Sequence, residues 1–322
     1  MKAAVRTKYG PPDVVRIEDV EKPAIKDGEV LIQVRATTVN RTDCGYRGGK
    51  PALIRLFAGV PKPRATVLGT EFAGVVTAVA IGVTALRVGD RVFGYCEGRF
   101  GAHAEYMAMP AHGAIATIPA NMSFEEAAPS TEGSHYALGI IRAAKIGSGQ
   151  HVLVYGATGA IGSAAVQLLS NTGANVTAVC GTEHLELVRG LGANRVVDYT
   201  AEDFTKDPQR YDVIFDAVGK SAFGRCKHML TPRGIYVSTE LGPKGQNPFL
   251  ALATPLFRRR RVLFPIPRND NGMAQHFKGL MESGAFRPVI DRRYPLDEIA
   301  DAYRYVETGR KVGNVVVTID PP

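Results

Sequence analysis

The stretch with the clearest chemistry is Val152-Leu153-Val154-Tyr155 running directly into Gly156-Ala157-Thr158-Gly159-Ala160-Ile161-Gly162. Glycine at every third position, after a buried-type strand and before an alanine-rich run, is the arrangement that cradles the pyrophosphate of a dinucleotide. Gly156 permits the tight turn. Gly159 lets backbone N–H groups at a helix start approach a phosphate, and Gly162 lets that helix pack close to its strand. Thr158, Ala160 and Ile161 complete the expected cradle.

The end of the next strand decides between the two nicotinamide dinucleotides. An acidic residue there would bind a ribose 2′-hydroxyl. The sequence reads Val179-Cys180-Gly181-Thr182-Glu183-His184, with Cys180 in that place, which points to the 2′-phosphate of NADP. Gly181 opens the turn, and Thr182, His184 and Tyr199 are the candidate donors to the phosphate. Glu183 is expected to face solvent in the first turn of a helix, where its charge complements the helix dipole.

Elements of two kinds must position these groups. Up to about residue 118 the chain is a series of short β-rich runs, Lys2–Val5, Val30–Val34, Gly74–Val79 and Arg91–Gly94, punctuated by glycine and proline and nearly without helical periodicity. That texture predicts a small, irregular, mostly antiparallel barrel. Ser123-Phe124-Glu125-Glu126 then has the form of a capping box, and a helix is predicted over 131–145. Strands at 151–155, 176–179, 195–197, 213–216, 235–238 and 262–264 alternate with helical patterns, which predicts a doubly wound parallel sheet. Beyond residue 271 come two amphipathic helices and a last strand, Asn314–Ile319, which needs a sheet to join. Its return to the first domain gives a first domain of 1–120 and 271–322 and a second of 121–270.

Composition narrows the function. With 45% apolar and 22% charged residues the 322-residue chain is an ordinary globular one. No apolar stretch is long enough to span a bilayer, so no membrane partner is expected. Met1–Arg6 does not lead into the apolar core of a secretory signal, so a cytoplasmic protein is expected. The net charge of +8 comes without a basic stripe. The run Arg258–Arg261 reads as a solvated turn before a strand, and the chain lacks tryptophan and any aromatic–basic alternation, so no nucleic-acid partner is expected. Cys44, Cys96, Cys180 and Cys226 lie far apart, with no C-x-x-C pair for zinc or dithiol chemistry.

Gly69-Thr70-Glu71-Phe72-Ala73-Gly74-Val75-Val76, Val88-Gly89-Asp90-Arg91-Val92-Phe93-Gly94, the glycine turn and Gly313-Asn314-Val315-Val316-Val317 together resemble the medium-chain dehydrogenase/reductase superfamily, in its zinc-free quinone oxidoreductase (zeta-crystallin-like) branch. The resemblance covers essentially the whole chain. It implies an α/β protein with a GroES-like β-barrel domain, a Rossmann domain inserted into it, and a cofactor cleft between the two.

The departures from the zinc alcohol dehydrogenases are specific. Asn40 stands at the position of a catalytic cysteine, Thr70 at that of a histidine, and Ser130 near the third ligand; the four-cysteine lobe is missing. Loss of these soft ligands implies no zinc. Without Lewis-acid polarisation the acceptor must be electrophilic in its own right, a quinone or an enone. Asn40 is the expected group beside the nicotinamide, and Tyr46 the expected proton donor, one position later than in relatives. Thr239, Leu241 and Asn314 are further expected cofactor contacts. His135 is a weaker candidate, and Arg47, Lys50 and Arg55 are expected as solvated charges at the substrate entrance. An NADPH-dependent oxidoreductase, acting as a homodimer, is the expectation. The alternatives are an alcohol dehydrogenase or enoyl-thioester reductase on this scaffold, or an NADPH-binding protein with little turnover.

Overall fold

A computed structural model describes residues 1–257 and 259–320. Two compact units divide the chain, Met1–Glu132 with Asn269–Pro322, and Gly133–Arg268.

The first unit opens with β1 (Lys2–Val5) and β2 (Arg16–Asp19), an antiparallel pair. Its main sheet is built on β3 (Glu29–Val39), with β4 (Glu71–Val79), β5 (Arg91–Tyr95), β6 (Tyr106–Pro110) and β7 (Ala114–Thr117). β3 pairs antiparallel with both β4 and β6. Register slips against β4 at Leu31–Ile32 and Val34–Ala36 mark irregularities of the kind that bend a strand. Three helices interrupt the strands: α1 (Arg41–Gly48), α2 (Ile54–Ala58) and α3 (Phe124–Ala127). The sequence pattern missed α1. It is started by a reciprocal cap between Asn40 and Asp43 and stopped by Gly49 at φ +62°.

In the second unit β8 (His151–Tyr155), β9 (Asn175–Cys180), β10 (Arg195–Asp198), β11 (Tyr211–Asp216), β12 (Leu230–Ser238) and β13 (Arg261–Leu263) form one parallel sheet in the order β10-β9-β8-β11-β12-β13. The strand order reverses between β8 and β11, and ligands of such sheets bind beyond the carboxyl ends of the strands at that reversal. The helices are α4 (Glu132–Ala144), α5 (Ala160–Asn171), α6 (Leu185–Gly190), α7 (Phe223–Cys226) and α8 (Gln246–Ala253). Leu153, Val179, Ile214, Tyr236 and Val262 from five neighbouring strands share one buried cluster. Of the arginine run, Arg258 lies outside the described residues. Arg260 is not merely solvated: its Nε donates to the carbonyl of Leu230 at 3.0 Å.

The chain then returns to the first unit through α9 (Asn271–Glu282), β14 (Ile290–Pro295), α10 (Ile299–Glu307) and β15 (Asn314–Thr318). β15 pairs antiparallel with β3, Val315 opposite Val39, so the last strand finds its sheet in the first domain. On α10, Ile299, Ala302, Tyr303 and Val306 recur at helical spacing and are all buried. Truncating Ile299 to alanine there would cost about 2–5 kcal/mol.

The second unit begins at Gly133, not at residue 121. Ser123 caps α3 with a reciprocal bond to Glu126. The backbone N–H groups of Thr131 and Glu132 are bound by the carboxylate of Glu71 on β4, which holds 123–132 to the first unit.

Candidate active site

The glycine turn grows out of β8, whose Val152, Leu153 and Val154 are fully buried. Its three glycines do different work. Gly156 has φ +82°, a region that side chains rarely adopt. A Cβ on Gly162 would come within 2.0 Å of the Gly156 carbonyl oxygen, so only glycine lets α5 lie this close to the strand end. Gly159 has ordinary extended backbone, and a Cβ there would meet nothing nearer than that same oxygen at 3.8 Å. The space above Gly159 is therefore open. As the residue that starts α5, Gly159 brings no side-chain acceptor, so the first-turn N–H groups at Ala160, Ile161 and Gly162 lack the partner a serine or aspartate would give them. An open space faced by N–H groups at the positive end of a 12-residue helix fits a diphosphate. Thr158 sits half-buried beside it.

At the end of β9, Cys180 points inward and is 1% exposed. Burial pushes its thiol up to about 11, with Asp198 adding to the rise. The parallel register places Asp198, the last residue of β10, opposite Cys180. The Thr182 hydroxyl donates to Asp198 Oδ2 at 2.5 Å and lies 2.7 Å from the Thr200 hydroxyl. Thr200 donates from both its N–H and its hydroxyl to Asp198 Oδ1. These bonds, that from Thr182 first, hold the Asp198 carboxyl below its ordinary range. Thr182, named from the sequence as a donor to phosphate, thus has its proton committed to a carboxylate that sequence reasoning missed. The signal was present, since an acidic residue closes the next strand of the sheet.

The neighbouring residues are placed as follows. Glu183 is exposed, as its position in the turn required. His184 is half-buried in the same turn, and Tyr199 is 55% exposed, its hydroxyl 3.4 Å from where a Cβ on Gly181 would stand. Thr239, after β12, bonds through its N–H to the carbonyl of Asp216, and Leu241 is 44% exposed. Asp216 is fully buried and takes bonds from the N–H groups of Val218, Gly219 and Ser221 and from the Tyr236 hydroxyl, so it organises the turn after β11. His135 is buried beside the Tyr136 ring.

In the first unit, the positions that the resemblance compares with metal ligands are filled by hydrogen-bonded neutral groups. Asn40 is 3% exposed. Its Oδ1 accepts from Asp43 N–H at 2.9 Å, and its Nδ2 donates to the Thr70 hydroxyl at 2.7 Å. Glu71 Oε1 accepts from Thr131 N–H, the Thr131 hydroxyl and Glu132 N–H, and Oε2 accepts from the Thr38 hydroxyl. Ser130 is buried between the Glu126 carbonyl and the Met281 sulfur. A zinc ion prefers thiolate and imidazole and would have to strip a saturated carboxylate here. This donor set does not fit it. Among the described residues no group of three histidine, cysteine or acidic side chains is arranged to hold a metal.

Asn40 therefore acts first as a helix cap, a role the sequence reading did not give it. Tyr46, in contrast, is half-buried on α1 with its ring edge-on to Phe100 at 4.7 Å. Burial, aided by the charge of Glu97, raises its phenol above the ordinary value, so it stays a proton donor. Asn314, at the start of β15, is 6% exposed and donates through Nδ2 to the Val289 carbonyl at 3.0 Å. Arg47 corrects an expectation: it is not solvated but 1% exposed, paired with Glu307 and lying over the Tyr303 ring. Lys50 and Arg55 are exposed as expected. Burial pushes the Cys44 thiol up to about 12 and Cys96 higher, which makes both poor nucleophiles. Burial, with the charge of Glu71, lifts the Glu132 carboxyl to about 7 while it accepts from the Thr42 hydroxyl at 2.9 Å.

Comparison with known proteins gives the family. Residues 26–120 match the alcohol dehydrogenase GroES-like domain, and residues 191–317 match the zinc-binding dehydrogenase family. The chain is 35% identical to a 2-methylene-furan-3-one reductase of Solanum lycopersicum, over 98% of this chain and 79% of that protein. It is 34% identical to an NADPH-dependent alkenal/one oxidoreductase of Arabidopsis thaliana over the same shares, and 30% identical to a quinone oxidoreductase of Pseudomonas aeruginosa over 96% and 97%. The solved quinone oxidoreductase of Coxiella burnetii superposes with a TM-score of 0.89 at 25% identity, covering 99% of both chains. A structure described as an NAD-dependent alcohol dehydrogenase gives 0.87 at 27%, covering 99% and 100%. The chain belongs to the medium-chain dehydrogenase/reductase superfamily, in its quinone oxidoreductase branch. It is an enzyme of the oxidoreductase class that works with a nicotinamide cofactor.

Proposed function

We propose that this chain is an NADPH-dependent, zinc-independent reductase that delivers hydride to a quinone or an α,β-unsaturated carbonyl compound. The observation that carries the proposal is the combination of an open glycine turn with a metal position filled by saturated neutral groups, Asn40 bonded to Thr70 above all. The names of the tomato, Arabidopsis and Pseudomonas relatives support the same substrate classes.

Gly156, Gly159 and the start of α5 (Ala160, Ile161, Gly162) are the residues to hold the diphosphate, with Thr158 at its flank. His184 and Tyr199 are the groups to meet the 2′-phosphate. A bound reduced nicotinamide supplies the hydride. The phenol of Tyr46 then supplies the proton: for an enone, hydride at the β-carbon leaves an enolate, which takes the Tyr46 proton, and water restores the phenol. Asn40 orients α1 and so aims Tyr46, four residues and one helical turn C-terminal to Thr42.

A homodimer suits β13, which ends the strand order of its sheet, and the exposed Phe249, Leu252 and Leu256 nearby. A reducing compartment such as the cytoplasm suits four free, buried cysteines. Among the described residues no helix is long and apolar enough to cross a membrane.

The test is the rate of NADPH against NADH consumption over quinones, enones, enoyl thioesters and aldehydes, with metal analysis of the same preparation. Faster turnover of quinones or enones with NADPH, and activity unchanged by chelators, are expected. Stoichiometric zinc required for turnover, or oxidation of simple alcohols as the best reaction, would overturn the proposal.

A further inference from the structure

The segment 50–64 groups four exposed large apolar side chains on the first unit's surface. Leu53, Leu56, Phe57 and Val60 are 61%, 64%, 73% and 68% exposed. Leu53, at the N-cap of α2, and Phe57 stand four residues apart, the spacing of one helix face, and Val60 follows the helix end. Large apolar side chains grouped this way on a surface mark an interaction site.

The segment is nevertheless held firmly at its base. The Tyr9 hydroxyl donates to the Gly59 carbonyl at 2.7 Å, and the Arg55 guanidinium lies over the Tyr9 ring at 4.9 Å. Arg55 Nε donates to the Gly49 carbonyl, and Arg64 N–H to that of Ala58. A fixed base with apolar tips turned outward is a built feature of the fold.

Charge identifies the occupant. From residue 44 to residue 70 the chain carries five cationic side chains and no acidic one. Arg47 is buried, and the remaining four, Lys50, Arg55, Lys62 and Arg64, are exposed and interleaved with the apolar tips. A second copy of this chain docking on the same face would bring like charges together. A helix of five residues is too short to offer a protein groove the usual series of anchors. Cations flanking short apolar wedges match the boundary between anionic headgroups and acyl chains.

We infer that segment 50–64 docks the protein peripherally on anionic lipid bilayers, with Leu53, Leu56, Phe57 and Val60 entering the headgroup–acyl boundary and Lys50, Lys62 and Arg64 on the headgroups. This departs from the expectation of no membrane partner, which rested on the lack of a spanning segment; an interfacial patch spans nothing. It goes beyond the redox reading and does not depend on it.

The chain contains no tryptophan, so Phe57→Trp places the sole indole in the patch. Its emission is expected to shift to the blue, and the protein to co-sediment, with vesicles of phosphatidylcholine and phosphatidylglycerol but not with phosphatidylcholine alone. Adding Lys62→Glu and Arg64→Glu should weaken partitioning about tenfold or more. Ile81→Trp, in an exposed turn elsewhere on the unit, should not shift. Co-sedimentation of the unmodified chain gives the same answer without any substitution. No binding to the anionic vesicles, or an equal shift at Ile81→Trp, would overturn the inference. So would a shift that grows with protein concentration in the absence of lipid, which marks a second copy, or one seen with polyglutamate and not with vesicles, which marks an acidic protein surface.

Discussion

The Thr182 hydroxyl, at the end of β9, gives its proton to the Asp198 carboxylate, at the end of β10, across 2.5 Å. The bond makes Thr182 an acceptor toward anything above it and places a negative charge at the carboxyl end of the sheet, where the proposed function puts the ribose. On the proposed function, His184 and Tyr199 meet the 2′-phosphate against that charge. Asp198→Asn removes the charge and leaves the Thr182 side chain hydrogen-bonded. The ratio of kcat/KM for NADPH over NADH is expected to rise about fivefold, because a screened carboxylate that repels the 2′-phosphate is gone. His184→Ala is expected to lower the same ratio. Unchanged ratios in both variants would remove these two residues from cofactor choice.

Gly159 and Gly162 stand three residues apart in one turn, yet alanine should act differently at each. At Gly162 the new Cβ meets the Gly156 carbonyl at 2.0 Å, so strand and helix must separate. Gly162→Ala is expected to lower Tm by several degrees or prevent folding, since overpacking costs about 1–3 kcal/mol and backbone cannot yield cheaply. Gly159→Ala adds a methyl to open space on ordinary backbone, and Tm should hold. Its cost should fall on the ligand, with dinucleotide affinity measured by calorimetry down about tenfold or more. Loss of stability at Gly159 with affinity retained would assign that glycine to the fold alone.

Tyr46→Phe keeps the ring that packs on Phe100 and removes only the proton donor. A lost general acid lowers turnover about 100-fold or more. The fall is expected in kcat for enones. Quinones should be less affected, because their reduced form accepts protons readily from water. A variant as fast as the parent with every acceptor would show that water protonates the product.

The glycine turn was legible because its function restricts backbone, and backbone restriction writes glycine directly into sequence. The parallel sheet was legible for a similar reason: strands buried on both faces read as unbroken apolar runs. α1 is not legible, because Asn40 reads as the occupant of a lost ligand position and its reciprocal cap with Asp43 needs the folded turn. Arg47 reads as a surface charge in any local window. Only the return of α10 brings Glu307 and Tyr303 to bury it. Asp198 likewise acquires its role from pairing with Cys180 across the sheet, a relationship that no spacing along the chain expresses.

His103 carries the pH dependence that the fold should show. It is 1% exposed, its Nε2 lies 2.8 Å from the Thr38 carbonyl and its Nδ1 3.3 Å from the Tyr303 hydroxyl. A carbonyl can only accept, so Nε2 carries the proton; burial keeps the ring neutral, which leaves Nδ1 to accept from the tyrosine. Asp43 lies 3.9 Å away, but burial holds its carboxyl well above the ordinary range, so the pair is not an ion pair. Burial lowers the imidazole from 6.5 to about 4. The unfolded ring therefore takes a proton before the folded one does. Stability from this group is complete above about pH 6.5 and is lost as pH falls toward 4, by about 3 kcal/mol at the limit. Asp43 acts in the opposite sense, since its raised value in the fold favours the protonated form at low pH. His103→Gln keeps a donor for the Thr38 carbonyl and cannot titrate. Urea midpoints near pH 5 and near pH 7 should differ less in His103→Gln than in the parent, and more in Asp43→Asn. An undiminished acid loss in His103→Gln would place the responsible group elsewhere.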